Sequence, residues 1–272
     1  MFKSLAVFAA RVTPQFIKNT VHRSRLLDRI SRLVFSTLVA ADGTTAVINS
    51  GPSQGIKLAV GPHTSHAHLS GTYEIECQTA IARNVRPSTV CYDLGASIGY
   101  MSLLMARTAK HVYAFEPAPH AIEQLRLQLA ANNFDNVTIV TNPVSNSVRE
   151  VDFSLTETAY GSRIGNGDTK WRTIKLQTIT LDEFTTTNPM PDFMKIDVED
   201  EEGQVLEGAK SILRRGTTVI LCELHSQRSQ ETALDLLGRF GYRFRGLDGG
   251  PFRALAPGDR GETWVLALPG TI

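Results

Sequence analysis

Cysteine is scarce in this 272-residue chain: three residues, Cys77, Cys91 and Cys222, an odd number without metal-type pairing. Two of them stand inside apolar runs that read as buried strands. A disulfide framework is therefore not expected, and a reducing, cytoplasmic setting is. Long hydrophobic runs are missing too, since none approaches the roughly 18 residues a membrane span requires. Nor does one charge sign dominate: 28 Lys and Arg stand against 27 Asp and Glu, a net charge of +1, which argues against a dedicated nucleic-acid binder. Internal repeats and low-complexity linkers are absent. With 42% hydrophobic residues the chain has the composition of a globular protein able to bury one large α/β core or two small ones.

What charge there is falls unevenly. Residues 1–41 hold Lys3, Arg11, Lys18, Arg23, Arg25, Arg29 and Arg32 against Asp28, about +6, which leaves the remainder near −5. In the same stretch Val21, Leu26, Leu27, Ile30, Leu33, Val34 and Leu38 recur at helical spacing, with Pro14 separating two helices. Residues 1–45 are read as a basic helical arm that packs on the body, docks a partner or a second copy, or touches a membrane surface. The opening "MFKSLAVFAARV" is short in apolar residues and broken by Arg11, and is read as mature chain rather than a cleaved signal.

Residues 46–272 are read as one domain, with 46–70 a strand and loop lead-in. From about residue 72 helices alternate with strands: 89–93, "HVYAF", "VTIV", "DFMKIDV", "TTVILCEL", then "YRFRGL" and "TWVLAL". A polar region fills the space up to about 175. Such alternation predicts a mostly parallel sheet with helices on both faces, and the last two strands, lacking a helix between them, predict an antiparallel edge.

In an open parallel sheet ligands meet the carboxyl ends of the strands. Here those ends carry Asp93, Glu116, Asp197 with Glu199, and Glu223 with His225. The loop after the first strand runs Asp93-Leu94-Gly95-Ala96-Ser97-Ile98-Gly99. A dinucleotide fingerprint needs a third glycine and no carboxylate beside its diphosphate. A ligand with an ammonium, a sulfonium and a ribose but no phosphate suits the loop better, and S-adenosylmethionine is that ligand. Gly95 and Gly99 would let the backbone approach it. Glu116, ending the second strand, is placed to accept the ribose hydroxyls.

These residues resemble FkbM-type S-adenosylmethionine-dependent methyltransferases, a Rossmann-like class I fold with a mostly parallel seven-stranded sheet and an antiparallel seventh strand. The matching pieces are "GPSQGIKL", "GTYE", "DLGASIGYMS", "VYAFEPAP", "TLDEF", "MKIDVEDEEGQVLEGA" and "VILCELH", in order over about residues 50–226. One departure stands out: Asp200 replaces the glycine usual after Lys-Ile-Asp-Val-Glu, at a turn where a positive φ favours Gly over Asp. The resemblance implies that Tyr73 and Glu74 lie over the methionine end of the cofactor, with Asp93, Gly95, Ser97 and Gly99 beneath it and Glu116 on the ribose. It places Asn142 and Val144, in the turn "NPVSN", beside the adenine, and Asp197 near the transferred methyl group.

An alcohol acceptor needs a base in the transition state. His225 is read either as that base or as a helix-capping or substrate-orienting group, Lys195 as catalytic or as half of a structural ion pair, and Glu199 as a further crest carboxylate. No metal is expected; were magnesium present, Asp197, Glu223 and His225 would be its ligands. The run "HTSHAH" (His63, His66, His68) is read as a solvated or substrate-lining loop. By the resemblance, the expected reaction is O-methylation of a sugar, glycolipid or secondary metabolite. A cofactor-binding protein with a decayed site and a methyltransferase with an N-acceptor are the alternatives. Nucleic acid is not an expected substrate, because the fourth strand lacks an Asn-Pro-Pro-aromatic cradle and the crest repels phosphate.

Overall fold

The computed structural model describes residues 44–61, 63–156, 161–165, 171–256 and 262–270. The expected basic arm lies outside them up to residue 43. Two short strands, β1 (Thr45–Val47) and β2 (Lys57–Ala59), form an antiparallel hairpin, followed by helices α1 (His66–Ser70) and α2 (Ile75–Asn84). The domain proper continues as β3 (Val90–Leu94), α3 (Tyr100–Ala106), β4 (His111–Phe115), α4 (Pro119–Asn132) and β5 (Val137–Val140). Next come β6 (Glu150–Leu155), β7 (Arg163–Ile164), β8 (Arg172–Gln177), α5 (Leu181–Phe184), β9 (Phe193–Ile196), α6 (Glu202–Glu207) and α7 (Lys210–Arg215). The final elements are β10 (Val219–Leu224), α8 (Gln227–Arg239), β11 (Arg243–Arg245) and β12 (Thr263–Leu268).

Seven strands make one sheet in the order β11-β12-β10-β9-β3-β4-β5. Strands β5, β4, β3, β9 and β10 run parallel, while β12 is antiparallel to both β10 and β11. The expected antiparallel pair is thus present, with β12 inserted one place inside the edge. Strand order reverses between β3 and β9, which makes their carboxyl ends the crevice of the fold. Strands β3, "VCYDL", and β9, "FMKI", are buried at every residue, as strands covered on both faces must be. The β1–β2 hairpin is tied to the body by amide side chains of α4: Gln128 Oε1 accepts from the Ala59 N–H (2.7 Å), while Gln124 and Gln128 Nε2 donate to the Ala59 carbonyl (2.6 and 2.9 Å). Among the described residues no helix is long and apolar enough to cross a membrane.

Two readings of the sequence change. The polar region before residue 175 folds as a three-stranded antiparallel sheet, β7-β6-β8, whose Phe153, Leu155, Ile164, Ile174 and Leu176 pack on Ile98, Ala118 and Ala121. The stretch "EEGQVLEGAKSILRR", which helical periodicity alone would make one helix, is two helices, α6 and α7. At the break Gly208 approaches the neighbouring loop so closely that a Cβ would sit 2.2 Å from the Ser145 carbonyl oxygen. Asp182 then restarts the helix: its backbone N–H donates to the Gly208 carbonyl (2.7 Å) and its Oδ1 accepts from the Ser211 N–H (2.7 Å).

Because φ at Gly208 is −81°, alanine there meets no conformational obstacle and the cost of Gly208→Ala is purely steric. A loss of about 1–3 kcal/mol is expected, read as a lower urea midpoint. An unchanged midpoint would show that this close approach does not break the helix.

Candidate active site

The centre of the site is charged and buried. Parallel register sets Asp93 of β3 beside Lys195 of β9, and the ammonium lies 3.7 Å from Asp93 Oδ1 and 2.9 Å from Asp197 Oδ2. Ser102, one turn into α3, donates to Asp93 Oδ2 at 2.5 Å. Lys195 also lies 5.8 Å from the centre of the Trp264 ring. Burial works against the Lys195 ammonium, but Asp197 and Asp93 outweigh it and hold the lysine protonated well above its ordinary range. Burial pushes the Asp93 carboxyl up, opposed by Lys195 and Ser102. Asp93, expected at a strand end facing a ligand, is fully buried and answers an internal cation.

Two clefts adjoin above this centre, sharing Gly95 and Asp197. One, of about 460 Å³, is lined by Glu116, Asn142, Val144 and, from the small sheet, Phe153 and Arg163. The other, of about 320 Å³, is lined by Tyr73, Glu74, Ser97 and Lys195. The structure thus places Glu116, Asn142 and Val144 on one cleft and Tyr73, Glu74, Ser97 and Lys195 on the other, while Asp93, Gly99, Glu199, Glu223 and His225 line neither. Glu116 is nearly buried, accepting from the Ser97 N–H through Oε2 and the Ala118 N–H through Oε1, each at 2.8 Å; burial raises its carboxyl to about 7. Asn142 donates to the Gln177 carbonyl (2.9 Å), which ties the cleft wall to β8. Gly95 and Gly99 have φ of +77° and +88°, and a Cβ on them would meet the Asp197 carbonyl oxygen at 1.8 Å and Leu125 Cδ1 at 2.2 Å. Protein backbone and helix packing already require glycine at both places, before any ligand is considered.

His225 follows β10 and sits among carboxylates. Its Nδ1 is 2.9 Å from Glu202 Oε1, and its Nε2 is 3.5 Å from Asp197 Oδ1, 3.8 Å from Glu223 Oε2 and 4.0 Å from Glu199 Oε2. It does not cap α8; that role falls to Ser226, whose side chain accepts from the Ser229 N–H. Burial would lower the imidazole, but the Glu202 hydrogen bond and charge, with Asp197 and Glu223, raise it to about 9. Glu223 is likewise raised to about 9, first by burial and then by Asp197, and burial raises Glu199 and Glu74. Asp197, Glu223 and His225 each offer an atom within 4.8 Å of the others, close enough to share one cation.

Backbone strain gathers at the same place. Of the five non-glycine residues with positive φ among the described residues, four are Glu74 (42°), Ser97 (50°), Glu199 (56°) and Asp200 (77°). Each stands at a turn around the two clefts or beside them, where an unfavourable conformation persists only if its surroundings enforce it. Asp200 adopts the left-handed turn that glycine would occupy, held in part by its N–H donating to Glu202 Oε1 at 3.2 Å.

The histidine run does not converge. His68 is buried within α1, its Nδ1 accepting from the Ser65 N–H (2.9 Å), and burial lowers it to about 4. It packs under Tyr73 with ring centres 4.2 Å apart, while His63 lies beside His120; a solvated loop is therefore not what this stretch forms. Sequence reading did not single out Glu202, although it keeps phase with Val205, Leu206 and Ala209, all buried. It also missed the small sheet, whose alternation of Val151, Phe153 and Leu155 was available.

A parallel sheet reversing at β3/β9, an antiparallel β12 beside β10 and paired clefts at the reversal define a Rossmann-like class I methyltransferase fold. A family model described as the methyltransferase FkbM domain matches residues 93–244, more than half of the chain, and the chain belongs to the FkbM family of S-adenosylmethionine-dependent methyltransferases. It is 30% identical over 146 residues to the hexuronic acid methyltransferase AglP of Haloferax volcanii, a match covering 50% of this chain and 56% of that protein. It is 32% identical over 68 residues to an uncharacterized protein of Methanocaldococcus jannaschii, covering 25% and 26%. The crystal structure of methyltransferase FkbM from Methylobacillus flagellatus aligns with a TM-score of 0.48 at 16% identity, over 73% of this chain and 46% of that one. The chain spans about half the length, or less, of these relatives.

Two outcomes follow from the charges and the strained turn. His225 keeps its proton to about 9 when folded against an ordinary 6.5, and Glu223 to about 9 against 4.5. The folded state thus binds more protons than the unfolded state between pH 6.5 and 9, so stability falls as pH rises through that window. Thermal midpoints should decline from pH 6 to 9, and Glu223→Gln should flatten the decline; midpoints independent of pH would contradict the assignment. Separately, Asp200→Gly removes the left-handed penalty and is expected to stabilise by about 1 kcal/mol, seen as a higher urea midpoint.

Proposed function

We propose that this chain transfers a methyl group from S-adenosylmethionine to a hydroxyl of a sugar or sugar-bearing metabolite. The observation that carries the reading is His225 Nε2, held at the carboxyl end of β10 within 3.5 Å of Asp197, where Asp197 itself lines both clefts. The residues present fit the cofactor. Glu116, buried with two backbone donors already on it, offers its remaining lone pairs to ribose hydroxyls, and Tyr73, Glu74 and Ser97 line a separate space suited to the methionine moiety. Asn142 and Val144, on the wall of the same cleft as Glu116, would flank the base. When bound, the cofactor supplies a methyl group activated by sulfonium.

The chain's own residues supply alignment and a destination for the proton. In this reading His225 takes the acceptor's hydroxyl proton at Nε2 in its neutral form, whose fraction grows as pH rises toward about 9, and Asp197 orients the acceptor and the ring. Lys195 is a positioning residue: its ammonium fixes the Asp197 carboxylate rather than acting as a base, because it stays protonated between two carboxylates. Glu199 and Glu223 shape the polar rim, and Glu223, neutral below about 9, is a donor to an acceptor oxygen as well as an acceptor. A divalent cation on Asp197, Glu223 and His225 is the competing use of those atoms; turnover with and without EDTA distinguishes the two.

The sugar class is supported by the hexuronic acid methyltransferase to which the chain is 30% identical over half its length. Carboxylates around the cleft disfavour phosphate-rich nucleic acid. Three buried free thiols favour a cytoplasmic, reducing setting. Docking of a second copy or a membrane surface by the basic arm stays a proposal resting on its charge alone.

Calorimetry with S-adenosylhomocysteine tests the reading first. The wild-type chain should bind, Glu116→Ala should bind roughly ten- to a hundredfold more weakly through loss of a charged hydrogen-bond partner, and His225→Asn should bind like wild type. With a hydroxylated saccharide acceptor found by screening, His225→Asn should lower turnover at least about a hundredfold. Equal affinity of Glu116→Ala and wild type would remove the ribose assignment, and no binding by the wild type would remove the cofactor.

A further inference from the structure

We infer that Glu202 is the positioning residue of this site, holding the His225 ring so that Nδ1 keeps its proton and Nε2 is the atom offered to the acceptor. The inference rests on the reading of His225 as the base and adds a residue to it. Glu202 is fully buried at the first turn of α6, a place where a carboxylate ordinarily faces water. Its Oε1 receives His225 Nδ1 at 2.9 Å, the Asp200 N–H at 3.2 Å and the Val198 N–H at 3.4 Å. Its Oε2 receives the Ser229 hydroxyl from α8. The four donors come from the strained turn, the end of β10 and α8, so one carboxylate joins three parts of the fold.

A neutral imidazole carries one proton on two nitrogens, and the hydrogen bond made by one nitrogen decides the chemistry of the other. Nε2 has carboxyl oxygens of Asp197, Glu223 and Glu199 at 3.5, 3.8 and 4.0 Å, each beyond a good hydrogen bond, whereas Nδ1 has one, of Glu202, at 2.9 Å. The proton therefore stays on Nδ1, and the Nε2 lone pair is left on the side of Asp197, which lines both clefts. Remove Glu202, and the surrounding carboxylates draw the proton to Nε2, leaving a ring that cannot accept one there. The amide in Glu202→Gln keeps its oxygen toward His225, because three donors converge on that position and Ser229 can accept from the amide nitrogen.

The test is nitrogen-15 correlation spectroscopy of the full chain labelled at histidine, with His225→Asn identifying the His225 signals among the seven histidines. In the wild type a Nδ1–H signal protected from water exchange is expected at neutral pH, held by the 2.9 Å contact to Glu202, and the ring, when neutral, should be the Nδ1–H form. Glu202→Gln should keep the protected proton with a smaller downfield shift. Glu202→Ala should lose it to exchange and, once neutral, carry its proton on Nε2. S-adenosylhomocysteine binding within about threefold of wild type marks each variant as folded. A Nδ1–H signal unchanged in a folded Glu202→Ala chain, or a wild-type ring protonated on Nε2 when neutral, overturns the inference. Should Glu202→Ala fail to fold, the wild-type protonation state and the Gln shift decide it. Absence of S-adenosylhomocysteine binding by the wild type would defeat the methyltransferase reading while leaving the spectroscopic answer on Glu202 intact.

Discussion

The ion pair between Asp93 and Lys195, extended to Asp197, is the constraint on which the rest of the site depends. It crosses from β3 to β9 at the one place where the sheet reverses its strand order, with both partners almost wholly removed from water. Taking either charge away would strand the other in the interior, an imbalance that costs about 3–5 kcal/mol in buried pairs. The charge beside the glycine loop therefore exists first to answer an internal lysine, and the lysine in turn pins the Asp197 carboxylate at the meeting point of the two clefts.

Around that pin the chain is bent against its preferences. Glu74, Ser97, Glu199 and Asp200 all take positive φ, and neighbouring groups hold them there: the Ser97 N–H on Glu116 and the Asp200 N–H on Glu202. Two buried carboxylates thus do parallel work on opposite sides of the reversal. Glu116 gathers backbone donors from the loop after β3 and the start of α4; Glu202 gathers them from the loop after β9 and orients His225 besides. Preorganisation of this kind removes the need to order the turns when a ligand arrives.

Much of the fold was legible because its signals are local. The buried runs of β3, β9 and β10, the helical periodicity between them and the missing helix before β12 each follow from residues within one element. The positions of Glu116 and His225 were legible as well, since the residues that follow the buried strands of a parallel sheet gather at the crevice. The small sheet was lost in a polar stretch, where Lys and Arg on its exposed face of β8 mask the alternation of Ile174 and Leu176. The break at Gly208 was lost because its cause, the Ser145 carbonyl, lies more than sixty residues away.

By itself the sequence determined the class of the fold, the cofactor-shaped loop and the set of acidic residues at the strand ends, since periodicity and strand-end position are properties of a single segment. Only the tertiary structure decided what each charge faces. Asp93 turned inward because strand register put Lys195 beside it; His225 gained a partner at Nδ1 because α6 buried Glu202; Glu202, ordinary at a helix start, became central because the strained turn and His225 together brought three donors to one of its oxygens. Opposite charges and hydrogen bonds act over a few ångströms in space, and the distance along the chain between their partners carries no trace of them.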